Sequence, residues 1–319
     1  QVTCLVCDFG GTRIKTGLLN EGRLIGSTIV PTLAEEAMPA TMDRVAGQLD
    51  SLCQESGIDP RDCAGIAAGF PALVDSRRNR VLDHYEKYRD APAFDFNSWA
   101  AQRWGIPIAL ENDARLALIG EWQHGAGREC SQQAIITLGT GIGTAVLFEG
   151  SLLRGPNYVA GNLGGHLIVQ AGGRRCVCGN RGCVEAYTGG GSLSDRVREM
   201  LGEMNRESEA PETTDYRLLF ELADQGVDWA NVMRDRTIEY WAILCANLIN
   251  TFDLDRVIIG GGVMHAADFL LPELTDRVRP LILGGRPSLD LRAAEHPDTM
   301  ALLGGEWLIR EKSGANSQK

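Results

Sequence analysis

The sequence lacks any apolar run approaching the roughly 20 residues needed to span a bilayer, so a transmembrane helix is not expected. It lacks a leader-like charged region and short apolar run ahead of its first strand-like segment, and its first residue is Gln1. It lacks an excess of positive charge. Its 319 residues carry 31 Lys and Arg against 42 Asp and Glu, a net charge of −11. That balance argues against nucleic acid or an anionic membrane as a main partner. No low-complexity segment interrupts the chain. A disulfide framework is also missing. The cysteine count of nine is odd, and Cys4, Cys7, Cys53, Cys63, Cys130 and Cys245 are scattered in apolar surroundings. They read as small core residues in a reducing, cytoplasmic compartment. Finally, no segment has the spacing GxxxxGKS or GxxxxGKT, which excludes that phosphate-loop architecture.

What is present is a globular composition, 44% hydrophobic and 23% charged, long enough for one large domain or two of ordinary size. The opening VTCLVCDFGGTRIKTGLL reads as an apolar strand, a Gly-Gly turn and a second strand. The pattern returns in AIITLGTGIGTAVLF, residues 134–148, which suggests an internal duplication. RVIIGGGVM, 256–264, is a third junction of strand and glycine, preceded by a helix over 237–252 with Ile238, Trp241, Cys245, Leu248 and Phe252 on one face. GIAAGFPALVD (65–75) and PIALEND (107–113) read as strands, ARLALIGEWQHG as the helix after them, and the polar stretch 202–215 as a surface connection. Strands alternating with helices indicate an α/β fold.

One strand–glycine junction alone is an ordinary tight turn. Glycine lets backbone amides approach a ligand closely, and arrays of such amides suit phosphate oxygens. Three junctions in one chain, two of them Gly-Thr with a hydroxyl beside the amides, point to a nucleotide. Asp8 ends the first strand, where a carboxylate either caps the turn or holds a hydrated Mg²⁺. Asp113, in LEND, stands where a strand gives way to a helix. It is either the helix cap or a general base at the carboxyl end of a parallel strand, and the two roles are compatible.

The densest signal is HLIVQAGGRRCVCGNRGCVEAY, 166–187, which contains His166, Cys176, Cys178 and Cys183 with glycines between the thiols. Three thiolates and an imidazole fit tetrahedral structural zinc. Four protein ligands close such a site, so the ion orders its surroundings rather than reacting.

Together these residues resemble the ROK family of bacterial sugar kinases and repressors. Asp8-Phe9-Gly10-Gly11-Thr12 looks like its first phosphate loop, and Gly69-Phe70-Pro71-Ala72-Leu73-Val74-Asp75 its sugar-side loop with Ala72 for glycine. Glu111-Asn112-Asp113-Ala114 matches its catalytic segment, Leu138 to Gly143 its second phosphate loop, and His166 with CVCGNRGCVE its zinc signature at full spacing. Gly260-Gly261-Gly262 resembles its adenosine-side motif. The resemblance runs along nearly the whole chain.

The resemblance implies a two-lobed actin-like ATPase (ribonuclease H-like) fold with a zinc knuckle in the second lobe. One lobe is expected over 1–113 plus about 299–319, the other over 114–298. It implies phosphorylation of a hexose or hexose derivative, at the 6-hydroxyl, with Asp113 as base. Sugar contacts are implied for Gly69, Pro71, Asn112, Asn162, His166 and Glu185. Contacts to ATP and Mg²⁺ are implied for Asp8, Gly10, Gly11, Thr12, Lys15, Gly139, Thr140, Gly141, Gly260, Gly261 and Gly262, and a homodimer or homotetramer is expected. Two places depart from the family. Its Glu-x-Gly-His becomes Leu163-Gly164-Gly165-His166, or Asn162 with one extra glycine, so a sugar-binding carboxylate is lost. The segment 81–99, expected to border the pocket, is richer in charge and aromatics. The rival reading is a sugar-responsive regulator without turnover. The DNA-binding helix-turn-helix of such repressors is not expected so close before Asp8.

Overall fold

A computed structural model describes residues 2–33, 35–83, 88–284 and 289–314. Its contacts divide the chain into two units, Gln1–Glu129 with Arg154–Ala160 and Asp298–Lys319, and Cys130–Leu153 with Gly161–Pro297. The first unit thus reaches past residue 113, the boundary expected from the sequence, and also takes in 154–160.

In the first unit, β1 (Thr3–Phe9), β2 (Arg13–Asn20) and β3 (Arg23–Pro31) form an antiparallel meander. Helix α1 (Met38–Ser56) follows. Pro39 suits its first turn, and Gly57, at φ 66°, ends it by donating to the carbonyls of Cys53 and Gln54. β4 (Ile66–Phe70) lies parallel to β1, a short hairpin pairs β5 (Val74–Asp75) with β6 (Arg80–Val81), and α2 (Phe96–Trp104) leads to β7 (Ile108–Asn112), parallel to β4. The sheet order is β3-β2-β1-β4-β7. All residues of β4 and β7 are buried, as expected of parallel strands covered on both faces, whereas edge strand β3 alternates in exposure. Leu5, Leu18, Met42, Leu49, Phe70 and Phe96 are among the core residues. Helix α3 (Asp113–His124) follows β7 directly.

The second unit repeats the plan. β8 (Gln133–Leu138), β9 (Ile142–Phe148) and β10 (Ser151–Leu152) are antiparallel, while β11 (Arg256–Gly260) and β12 (Asp290–Ala293) extend the sheet in parallel, in the order β10-β9-β8-β11-β12. The two Gly-Thr hairpins, β1–β2 and β8–β9, therefore occupy equivalent places in two sheets of the same topology. Between β10 and β11 come α4 (Val184–Thr188), α5 (Leu193–Glu203), α6 (Tyr216–Asp224) and α7 (Asp228–Phe252); α8 (Ala267–Val278) follows β11. The helix expected over 237–252 begins earlier, at Asp228, because Trp229, Ala230 and Met233 continue its buried face. The polar stretch 202–215 ends α5 and leads to α6, whose N-cap Asp215 accepts from Leu218 N–H. Trp241, Leu244, Leu248, Val257 and Leu274 are core residues of this unit. Among the described residues no helix is long and apolar enough to cross a membrane.

The last helices, α9 (Met300–Leu303) and α10 (Gly305–Lys312), return to the first unit. α9 crosses α3 in backbone contact. A Cβ at Gly120 would strike the Met300 carbonyl, and one at Gly304 the Leu116 carbonyl, so glycine is required at both.

Candidate functional site

In the first sheet the pairing aligns Asp8 with Gly69 and Gly69 with Glu111. Asp8, the turn at Gly69–Pro71 and Asp113 therefore meet at the carboxyl edge of the parallel strands, where open α/β sheets collect ligands. Gly69 matters for closeness: a Cβ there would sit 3.4 Å from the Cα of Asp113.

Of the two readings of Asp113, the helix cap belongs to its neighbour. Asn112 is the N-cap of α3, its Oδ1 accepting from Arg115 N–H at 3.1 Å, and Asp113 is the first helical residue. The Asn112 amide also donates to the Phe70 and Ala72 carbonyls at 3.3 and 3.2 Å, holding the 69–72 turn against α3. Asp113 Oδ1 accepts from Ala114 N–H at 2.8 Å. Burial, then the charge of Asp8, push the Asp113 carboxyl up to about 7, against hydrogen bonds from Ala114 and Asn112. Burial raises Asp8 as well, opposed by Lys15, its register partner across the hairpin. The Lys15 ammonium donates to the Asp298 carbonyl at 2.6 Å.

The Gly10–Thr12 loop is fixed from beneath. Gly10 N–H donates to Arg13 O at 2.9 Å, and the hydroxyls of Tyr88 and Thr32 donate to Gly10 O at 2.9 and 2.8 Å. Phe9 stacks on Phe70 at 4.3 Å between centroids, and Tyr88 meets both edge-on. Among the described residues of the 81–99 segment, Tyr88 reaches this loop; His84 to Lys87 lie outside the described residues.

Sequence reasoning missed a buried ion network. Glu111 and Arg115, four apart and both 0% exposed, pair at 3.4 Å. Arg154 bridges Glu111 at 2.6 Å and Glu311 at 2.6 Å. Arg115 also donates to the carbonyls of Tyr158 and Ala160 at 2.9 and 3.0 Å, which is why 154–160 belongs to this unit. Although burial opposes it, Glu111 and Glu311 hold Arg154 above its ordinary range. Glu111→Leu leaves the fully buried Arg115 guanidinium without a carboxylate and Arg154 with Glu311 alone, and urea unfolding should register a loss of about 3–5 kcal/mol. A loss under 1 kcal/mol would show the network to be incidental.

In the second unit, Gly139 and Thr140 are exposed at the tip of the β8–β9 hairpin, with Gly139 N–H donating to Gly141 O at 3.1 Å. Glu185 Oε2 accepts from Ile142 N–H at 2.7 Å, while Oε1 lies 3.9 Å from His166 Nδ1. Gly190 and Gly191 donate to the carbonyls of Gly139 and Thr140, each at 2.9 Å. The glycine run 189–191 was the unused sequence signal for this contact. Gly260–Gly262 ends β11, and Gly261, at φ 97°, lets the chain pass against Leu138.

Asn162 is 7% exposed and its amide donates to Thr144 O at 3.1 Å, which engages it within the fold. Leu163, by contrast, is 40% exposed.

His166, Cys176, Cys178 and Cys183 come together with their donor atoms all within 4.8 Å of one another. Cys176 Sγ to His166 Nδ1 is 3.6 Å and Cys178 Sγ to Cys183 Sγ is 3.7 Å. A tetrahedral zinc with arms of about 2.3 Å has sulfur–sulfur edges of about 3.8 Å, so the donor set fits that ion. Gly179 and Gly182 take φ 90° and 84° to wrap the knuckle. The other six cysteines are free and buried.

The sequence profile of the ROK family matches residues 4–312. The chain belongs to the ROK family. It is 31% identical to a glucokinase of Thermotoga maritima, over 96% of this chain and 97% of that one. It is 29% identical to an N-acetylmannosamine kinase of Vibrio vulnificus, over 97% and 98%. A solved ROK family glucokinase from Streptomyces griseus in complex with glucose and AMPPNP matches with a TM-score of 0.81 at 27% identity, over 97% of this chain and 99% of that one. For this ROK chain, the matched span includes every candidate residue from Asp8 to Gly262.

Proposed function

We propose that the chain is an ATP-dependent sugar kinase of actin-like ATPase fold that phosphorylates a hexose or hexose derivative at its 6-hydroxyl. The observation that carries this reading is Asp113, held at the carboxyl edge of a parallel sheet and pushed up to about 7 by burial and by Asp8. A carboxyl poised near neutral pH accepts a hydroxyl proton as that oxygen attacks phosphorus. The kinase relatives point the same way.

The roles divide by unit. In the first, Asp113 is the base, Gly69, Pro71 and Asn112 serve the sugar, Asn112 by holding the turn, and Asp8, Gly10, Gly11, Thr12 and Lys15 serve ATP and its cation. In the second, Gly139, Thr140 and Gly141 face phosphate, Gly260–Gly262 the adenosine, and Asn162, His166 and Glu185 the sugar, with the buried Asn162 acting through the loop it supports. A Mg²⁺ held by Asp8 supplies charge neutralisation on the phosphates. Zinc held by His166, Cys176, Cys178 and Cys183 supplies order to the 166–185 loop.

Segment 161–165 brings no carboxylate, and its exposed side chain is Leu163. Losing one charge-assisted hydrogen bond to a sugar costs about 1.5–3 kcal/mol, roughly ten- to a hundredfold in affinity. Glucose is therefore expected to be a poor substrate, and the exposed, apolar Leu163 in that place suits a hexose derivative with a methyl-bearing group such as N-acetyl better than a bare hydroxyl. Release of ADP, measured with Mg·ATP and glucose, mannose, fructose, allose, N-acetylglucosamine and N-acetylmannosamine, tests both levels. Sugar-dependent release supports the kinase. Sugar binding without ADP release would favour the regulator, and glucose emerging with the highest kcat/KM would show the loop's departure to be silent.

A further inference from the structure

The Gly139–Gly141 loop is held from behind by α4, and the hold ends on a buried arginine that no motif marks. Arg196, on α5, is 6% exposed. Among the described residues, its hydrogen bonds to oxygen go to main-chain carbonyls and one hydroxyl rather than to a carboxylate. Nη1 donates to Tyr187 O, and Nη2 donates to Gly189 O and Tyr216 Oη, each at 3.1 Å. The Tyr216 hydroxyl in turn donates to Thr188 O at 2.6 Å. Three consecutive carbonyls at the end of α4 are thus fixed. A helix end presents such unpaired carbonyls and favours a cation there.

Directly beyond that point the chain meets the loop. Gly190 and Gly191 N–H donate to Gly139 O and Thr140 O, and a Cβ at Gly190 would lie 2.7 Å from Gly139 O. At the start of α4, Glu185 takes the Ile142 amide on the loop's other side. A buried guanidinium is costly to desolvate; here it fixes the carbonyl side of a short, glycine-rich connection whose amides hold the loop.

We infer that α4 and the Gly189–Gly191 run form a brace for the Gly139–Gly141 loop, and that Arg196 is the positioning residue that fixes the brace, so that the loop amides are presented to a nucleotide phosphate in one conformation. This rests on the kinase reading. Amides already in place need no ordering when the phosphate arrives, which favours affinity.

The test is calorimetric titration of Mg·AMPPNP into wild type, Arg196→Met, Arg196→Lys and Gly190→Ala, with zinc content and circular dichroism measured on each. Arg196→Met and Gly190→Ala are expected to bind AMPPNP about tenfold more weakly, the effect of about one misplaced hydrogen bond, with zinc content unchanged. Arg196→Lys, which keeps the charge without the fork, should recover part of the loss. If Arg196→Met does not fold, Gly190→Ala decides, because it alters no buried charge. AMPPNP affinities within twofold of wild type would overturn the brace alone, whereas wild type that fails to bind AMPPNP would overturn the kinase reading and the brace with it.

Discussion

Replacing Asp113 with Asn is expected to lower kcat by about 10²–10⁴-fold, the usual contribution of a positioned base, while raising thermal stability at pH 8. The two effects have one cause. Burial and Asp8 raise the folded-state carboxyl to about 7, far above the roughly 3.9 of an unfolded Asp. A carboxyl raised in this way favours folding when protonated, below its unfolded value, and that advantage disappears as pH rises through the folded value near 7. At pH 8 the native chain carries a buried negative charge that Asn removes, and Tm should rise by about 1–2 °C for each kcal/mol recovered in a chain of this size. In wild type, kcat/KM should fall as pH drops below about 7 and the base becomes protonated. Near-normal turnover in Asp113→Asn, or a flat pH profile down to pH 5, would remove Asp113 from the role.

Removing the metal is the second large change. One zinc per chain is expected by elemental analysis, and Cys183→Ala should abolish it. Cys183 is fully buried and is the N-cap residue of α4, so its loss frees both the knuckle and the helix bearing Glu185. Zinc contributes about 10–16 kcal/mol of apparent binding energy in small domains. Half of that, at about 1.5 °C for each kcal/mol in a chain of this length, implies a fall in Tm of roughly 10 °C. Limited proteolysis should then cut within 166–185, where wild type resists. Protein purified without zinc, with Cys183→Ala melting like wild type, would contradict the site.

The strand–glycine junctions and the cysteine knuckle could be read from sequence because each is local. Apolar runs meeting Gly-Thr made both hairpins visible, and Cys-x-Cys-x₄-Cys closes on itself within a few residues. The partners of those loops could not be read, because they come from far along the chain. Tyr88 reaches Gly10 from 78 positions away, and Arg154 meets Glu311 across 157 positions. Even the local reading of Asp113 left its cap role open, because Asn112 and Asp113 are both good caps. The first turn of α3 decided it through the Asn112 bond to Arg115 N–H. Asn162, conversely, reads in the sequence as a neutral sugar contact, whereas in the fold it is buried and its amide donates to Thr144 O, 18 positions away.

The most direct test of the central claim follows the phosphate itself. ATP labelled at the γ-position is incubated with Mg²⁺, the sugar that gives the fastest ADP release, and either wild type or Asp113→Asn, and the products are separated. The account predicts that label appears as a sugar phosphate in wild type, with the phosphate on the 6-hydroxyl, and that the same product forms at least about 10²-fold more slowly in Asp113→Asn. Label appearing only as inorganic phosphate, at a rate indifferent to sugar and to Asp113, would contradict it.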